Sequence, residues 1–383
     1  MGKGIIFESK RASMITLKPV LIAIFVLCCG SVYGQSNGSL STWEHIATYD
    51  GFTAPDKIRL SASDDAPESA LLLDHQALDQ MVAKLRLDDK SIVGQAIRSG
   101  EGPGELSGRG LGISQFSNGG VLMWDGGERN AHVYDDQLQF EGQVRGIEHT
   151  SRGRTLLVND STMAVIVHTP GPALINLYRL HREPGSIHIE NEPVTSIQTT
   201  DDALLADSEL EENIMLRQGA HRRVGDQLFL ALNYSSIVLC ISEDGLEWAT
   251  ADPVNHSLPV YDFRDDGWVV APAAEDFPQG ALDIAADESY LYVLYSGQQA
   301  ERPGGLFSRF TTGDIEAEVE RVRHSDRLFA FERDSGTYVT EATLPLRAKA
   351  LDVNNGHIGL LTDERDSPTI EIYRKPGQWS IED

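Results

Sequence analysis

The sequence predicts an all-β chain built from a repeated unit of four short strands, and three observations carry that reading. Past residue 40, apolar residues recur with a period of two in short runs, each ending in Asp, Asn or Gly. No long stretch carries the period of about 3.6 that marks an amphipathic helix. The 35 glycines and 16 prolines among 383 residues suit a chain with many turns. That length would hold two average domains or one large all-β domain, so the pattern, not the length, decides the architecture.

The elements follow in chain order. Val20 to Cys29 is an uninterrupted apolar run, preceded by Lys10, Arg11 and Lys18 and followed by Val32-Tyr33-Gly34 before Gln35. A basic start, a short apolar centre and small residues at a cut describe a signal peptide over residues 1–34; a membrane span needs about 20 apolar residues. Export to the periplasm or beyond the cell is therefore expected, with no integral membrane segment after cleavage. Met14 would serve as an alternative start and leave a compact signal. Cys28 and Cys29 raise the minor reading of a lipid anchor, against which Leu27 places a bulky side chain where lipoprotein processing needs a small one.

Met81, Ala83, Leu85 and Leu87 then alternate with Val82, Lys84 and Arg86, and Asp88-Asp89-Lys90-Ser91 turns the chain into Ile92-Val93 and Ala96-Ile97. A helix through Leu78, Met81, Val82 and Leu85 is the rival reading; the turn that follows favours strands. Gly119-Gly120 precedes Val121 to Asp125, and Ala131 to Asp135 follows a polar turn. Thr155 to Asp160 leads to Ala164 to Val167, and Gln227 to Ala231 leads to Ser236 to Leu239. Two copies are most alike: Leu282-Asp283-Ile284 before Leu291 to Leu294, and Leu351-Asp352-Val353 before Ile358 to Leu361. Each reaches a further strand, Leu328 to Phe331 and Ile370 to Tyr373 respectively.

Four-stranded units of roughly 40 to 60 residues describe a β-propeller, whose blades bury their faces against one another. The propeller is assigned to residues 51–383, with residues 35–50 as an N-terminal segment that could close the last blade. Residues 296–326, rich in Gly, Arg and Glu, read as a surface excursion carrying a short helix.

Between Ala96-Ile97-Arg98 and Trp124-Asp125 lies Gly100-Glu101-Gly102-Pro103-Gly104-Glu105, with Leu106 after it. This turn resembles the G-x-G-P-G-E-F type turn in early blades of bacterial TolB-like and NHL-like six-bladed β-propellers, with Leu106 in place of the aromatic. The resemblance implies a single propeller of six blades with four antiparallel strands each, and export; it supplies no catalytic residue. Gly100, Gly102, Pro103, Gly104 and Glu105 are expected to form a structural joint between blades, since glycine reaches backbone angles closed to other residues and proline stiffens the turn. A cation site on Glu101 and Glu105 is the competing reading.

Chemistry is sparse. The net charge is −26, and removal of residues 1–34 leaves about −29. Such a surface repels nucleic acid and anionic membranes, and no Lys/Arg run compensates. No phosphate loop, dinucleotide fingerprint or Gly-x-Ser-x-Gly elbow occurs; Gly108 to Gly112 is merely glycine-rich. No local metal motif occurs either, so no cofactor is predicted, and a divalent cation gathered at the axis from several blades stays open. Among the 11 histidines, His132, His181, His188 and His221 are read as surface or core residues. Asp64-Asp65, Asp201-Asp202, Asp265-Asp266 and Asp363-Glu364 are read as turn residues that accept backbone hydrogen bonds. Cys240, in Ile237 to Ile241, is read as a buried reduced thiol.

Two functions fit. One is a noncatalytic module that binds a protein, peptide or glycan at the axial mouth; the other is a metal-dependent propeller hydrolase or lyase of the lactonase-like kind. They differ at the axis, where the enzyme needs converging carboxylates and imidazoles and the module a wider apolar and aromatic surface.

Overall fold

The computed structural model describes residues 43–50, 52, 55–60, 67–74, 76–108, 110–147, 153–183, 186–212, 214–254, 262–263, 269–270, 278–299, 323–363 and 367–375. The segment expected to be a signal peptide, residues 1–34, with Cys28 and Cys29, lies outside these residues, as do Asp64-Asp65, Asp265-Asp266 and Glu364. Among the described residues no helix is long and apolar enough to cross a membrane.

Six antiparallel sheets form the blades of a β-propeller. The first strand, β1 (Glu44–Tyr49), belongs to the last blade. Blade 1 is β2 (Lys57–Leu60), β3 (Ser69–Leu73), β4 (Val82–Arg86) and β5 (Ile92–Ile97). Blade 2 is β6 (Gly112–Gln115), β7 (Val121–Asp125), β8 (Asn130–Tyr134) and β9 (Phe140–Gln143). Blade 3 comprises β10 (Thr155–Asn159), β11 (Thr162–Ile166), β12 (Ala173–Glu183), β13 (Ser186–Ile189) and β14 (Thr195–Gln198). The helical turns α1 (Ser208–Glu212) and Ile214–Arg217 lead to blade 4: β15 (Gly219–Val224), β16 (Gln227–Leu232), β17 (Val238–Ser242) and β18 (Gly245–Thr250). After the short pair β19 (Asp262–Phe263) and β20 (Val269–Val270) comes blade 5: β21 (Pro278–Ala286), β22 (Tyr290–Gln299), β23 (Ser325–Glu332) and β24 (Tyr338–Ala348). Blade 6 is β25 (Ala350–Asn354), β26 (His357–Thr362) and β27 (Thr369–Arg374), with β1 paired outside β27.

The ring follows from apolar side chains on both faces of each sheet. In β7, Leu122 and Trp124 pack toward Leu157, Met163 and Val165 of blade 3, while Val121 and Met123 pack toward Leu71, Val82 and Ile97 of blade 1. Equivalent clusters join blades 3 and 4, 4 and 5, and 5 and 6. A last cluster, holding Ile58, Leu72, Leu361 and Ile370, joins blade 6 to blade 1 and completes the circle. A sheet covered on both faces reads as a continuous apolar run, which is why β7, β10 and β11 are buried throughout. Each fully buried Leu, Ile or Val side chain contributes about 2 kcal/mol relative to exposure.

Residues 82–97 form a hairpin, not a helix, with Leu72 opposite Ala83 and Ala83 opposite Ala96. Two departures from the sequence reading stand out. Blade 3 has five strands, because the long β12 pairs with β14 through Ala173 to Leu177 and with β13 through Leu180 to Glu183. The interval 296–326 is narrower than its composition suggested: β22 continues to Gln299 and β23 starts at Ser325, so both ends are strand. The proposed helix within it lies outside the described residues.

Candidate functional site

The innermost strands of the blades are β2, β6, β10, β15, β21 and β25, and among the described residues Arg59, His221, Asp283 and Asp352 are buried on them, while Asp125, Arg217 and Glu371 are buried elsewhere. Asp283 on β21 and Asp352 on β25 are both completely buried. Asp283 accepts from Lys57 Nζ at 2.8 Å through Oδ1 and from the Leu351 backbone N–H at 3.1 Å through Oδ2, tying blade 5 to blades 1 and 6. Asp352 accepts from the Leu60 N–H at 2.7 Å through Oδ2, and its Oδ1 lies 3.0 Å from Arg222 NH2, tying blade 6 to blades 1 and 4. Each carboxylate therefore clasps three blades.

The cations outnumber them. Arg59 donates to the Ile58 carbonyl at 2.8 Å and, across the axis, to the His221 carbonyl at 3.2 Å; its nearest carboxylate oxygen, on Asp283, is 4.0 Å away. Arg154 donates to the Gly219 carbonyl at 3.1 Å, and its Nε, like that of Arg222, is buried without a hydrogen-bond partner. His221 is 2.8 Å from the Ile113 carbonyl through Nε2, so this ring nitrogen carries the proton and donates. Among the described residues, Lys57, Arg59, Arg154 and Arg222 thus face two carboxylates, Asp283 and Asp352.

Burial and like charge shift these groups as expected. Burial, with Arg154 and Arg59 nearby, holds the His221 imidazole well below its ordinary range, so it is neutral. Burial lowers the Arg154 guanidinium to about 10; Asp283 opposes the shift and Arg59 adds to it. Arg222 is lowered by burial against the pull of Asp352, and burial raises Asp352 despite Arg222 and Arg59. The array offers fixed donors and positive charge. Among the described residues no three His, Cys, Asp or Glu side chains converge as metal ligands. Among the described residues the axis presents a cation-rich array, a third arrangement beside the carboxylate–imidazole cluster and the apolar, aromatic surface that the sequence reading set against each other.

The glycine turn lies elsewhere. Gly100 N–H donates to the Leu106 carbonyl at 3.0 Å, and Leu106 N–H to the Arg98 carbonyl at 3.0 Å. Glu105 folds back, so that its Oε2 accepts from the Gly102 N–H at 2.9 Å. Gly104 has φ +77° with Phe140 of blade 2 against it, and the Tyr134 hydroxyl donates to its carbonyl at 3.1 Å. Leu106 is fully buried between blades 1 and 2. Glu101, Gly102 and Pro103 also line a surface groove of about 420 Å³ together with Glu128, Phe140 and Arg145.

The other residues singled out by sequence are dispersed. His132 is buried in blade 2, 3.4 Å from Glu128, and burial lowers its pKa. His181 and His188 stack with ring centroids 4.9 Å apart on the β12–β13 extension. Asp201 and Asp202 accept the backbone N–H groups of Gln198 and Leu204, both at 2.8 Å. Asp363 pairs with Lys349 at 2.6 Å. Cys240 is a buried free thiol, raised to about 12 chiefly by burial.

Sequence reasoning missed Lys57, Arg59, Arg154 and Arg222, and met Asp283 and Asp352 only as parts of a repeat. A readable signal existed: in Ile58-Arg59-Leu60, Leu282-Asp283-Ile284 and Leu351-Asp352-Val353 a charge sits inside an apolar strand, away from any turn. A charge so placed needs a partner that the strand itself cannot supply.

No family model and no curated protein sequence matches the chain. Solved structures similar to it include the β-propeller domain of Cps50 (Swd1) from Myceliophteria thermophila, at 11% identity and a TM-score of 0.44, covering 87% of this chain and 99% of that one. BamB from Moraxella catarrhalis is 9% identical over 88% of this chain and 99% of its own, with a TM-score of 0.40. The WD40 propeller domain of Doa1 is 10% identical over 89% of this chain and 99% of its own, with a TM-score of 0.39. The likeness is one of fold class, which the chain's own ring of six sheets establishes.

Proposed function

We propose that the chain is an exported, noncatalytic binding module of the TolB-like or NHL-like propeller kind, which takes its ligand at the axial mouth. The observation that carries this is the axial array, in which Lys57, Arg59, Arg154 and Arg222 present donors from blades 1, 3 and 4. The sequence adds an export signal and an acidic surface that turns away nucleic acid. The partner is a protein, peptide or glycan with a group slim enough to reach the inner strands. Peptide and glycan arrays probed with the purified protein should yield a ligand whose binding is lost on Lys57→Ala, the Lys57 side chain being 25% exposed. Robust turnover in a hydrolase and lyase screen that disappears with the same substitution would sink the proposal.

A further inference from the structure

We infer that the axial array is a receptor for a small oxyanion, a carboxylate or phosphate group carried by that ligand, with Arg154 as its principal contact. The inference rests on the axial-binding reading and makes it specific.

Three observations support it. The first is how the charges divide. Asp283 gives one oxygen to Lys57 and the other to the Leu351 N–H, and Asp352 gives Oδ2 to the Leu60 N–H while its Oδ1, without a hydrogen bond, is ion-paired with Arg222 at 3.0 Å. Arg59 and Arg154 are left with backbone carbonyls as their bonded partners. A carbonyl accepts a hydrogen bond but does not neutralise a cation, and enclosed positive charge in excess of its carboxylates is unfavourable until an anion joins it.

The second is directional. Arg154 Nε is buried and unpartnered, and the space beside it is kept clear by the absence of a side chain at Gly112. A Cβ there would lie 3.0 Å from Nε and 3.5 Å from NH2. Nε and NH2 are the two donors that a guanidinium offers side by side to two oxygens of one anion. Arg222 carries a second unpartnered Nε, and Arg154 and Arg222 share Arg59 and Asp283 as electrostatic neighbours.

The third is contrast. Arg217, also buried, donates to six backbone carbonyls: those of Leu210, Val167, Thr169, Ala173, Gly171 and Glu211, at 2.7 to 3.1 Å. That is how this chain satisfies an arginine with a purely structural task. Arg154 makes one such bond. In a chain of net charge −26, an interior site with surplus cations also separates anion capture from the repulsive surface around it.

The test titrates the purified protein with inorganic phosphate and with succinate at fixed ionic strength, followed by calorimetry and thermal melting. At least one anion is expected to bind saturably and raise the melting temperature. Arg154→Met should weaken that affinity by about tenfold or more, and without ligand it should melt no lower than the parent, because it removes an uncompensated charge. Arg154→Met melting well below the parent while anion binding persists would assign Arg154 a structural role and overturn the inference. Should Arg154→Met fail to fold, Gly112→Ala, which fills the space beside Nε, must abolish anion binding; unchanged binding overturns the inference. Absence of saturable binding by either anion also overturns it. If array ligands still bind in that case and remain sensitive to Lys57→Ala, the module reading stands and only the oxyanion falls.

Discussion

His221 shows how much of the interior chemistry depends on one proton. Its imidazole is enclosed by Arg154, Arg59 and Lys57 and donates to the Ile113 carbonyl, so the folded state holds it neutral. Because the folded pKa is below the unfolded one, the unfolded chain binds more protons as pH falls below about 6.5, and stability declines from there downward. His132 and His168, both lowered by burial, add to the same slope. Urea midpoints measured from pH 7.5 down to about pH 5 should therefore fall for the parent and fall less steeply for His221→Gln. Identical slopes would mean that folding does not lower the His221 pKa.

At the scale of elements, the glycine turn between blades 1 and 2 is the sharpest case. Gly104→Ala places a Cβ 2.7 Å from the Phe140 Cβ on a backbone at φ +77°. The left-handed conformation alone costs an L-residue about 1–2 kcal/mol, and the overlap adds about as much again. Gly102→Ala meets only the flexible Glu105 carboxylate, at 2.9 Å, and should cost less. Equilibrium unfolding in urea should rank the two variants in that order, and the reverse order would contradict the joint described here. These elements were largely legible. Period-two runs placed the hairpin of Val82 to Ile97 correctly against a helical rival, and the paired repeats of blades 5 and 6 were read as strands. The fifth strand of blade 3 was not, because β12 has no turn residue where its partner changes from β14 to β13. Arg154 and Arg222 were illegible for a related reason: nothing in the residues around them states which distant strand will face them across the ring.

The whole molecule depends on one closure. β1 pairs with β27, with Glu44 opposite Arg374 and Tyr49 opposite Ile370, and Thr48 Oγ1 donates to the buried Glu371 at 2.6 Å. Joining positions separated by 330 residues carries a loop entropy of about 5 kcal/mol, which the blade must outweigh. Deleting residues through 50 should leave β27 as an open edge, and the shortened chain should self-associate on size-exclusion chromatography and lose its single cooperative melt. A monomeric product with the parent's melting temperature would show that closure is dispensable. The same arrangement governs attack by exopeptidases. An enzyme trimming from the front and one trimming from the back arrive at neighbouring strands of a single sheet, each shielding the other's backbone. Degradation from either end must therefore wait until that sheet opens, so resistance to trimming belongs to the closed ring and not to either terminus.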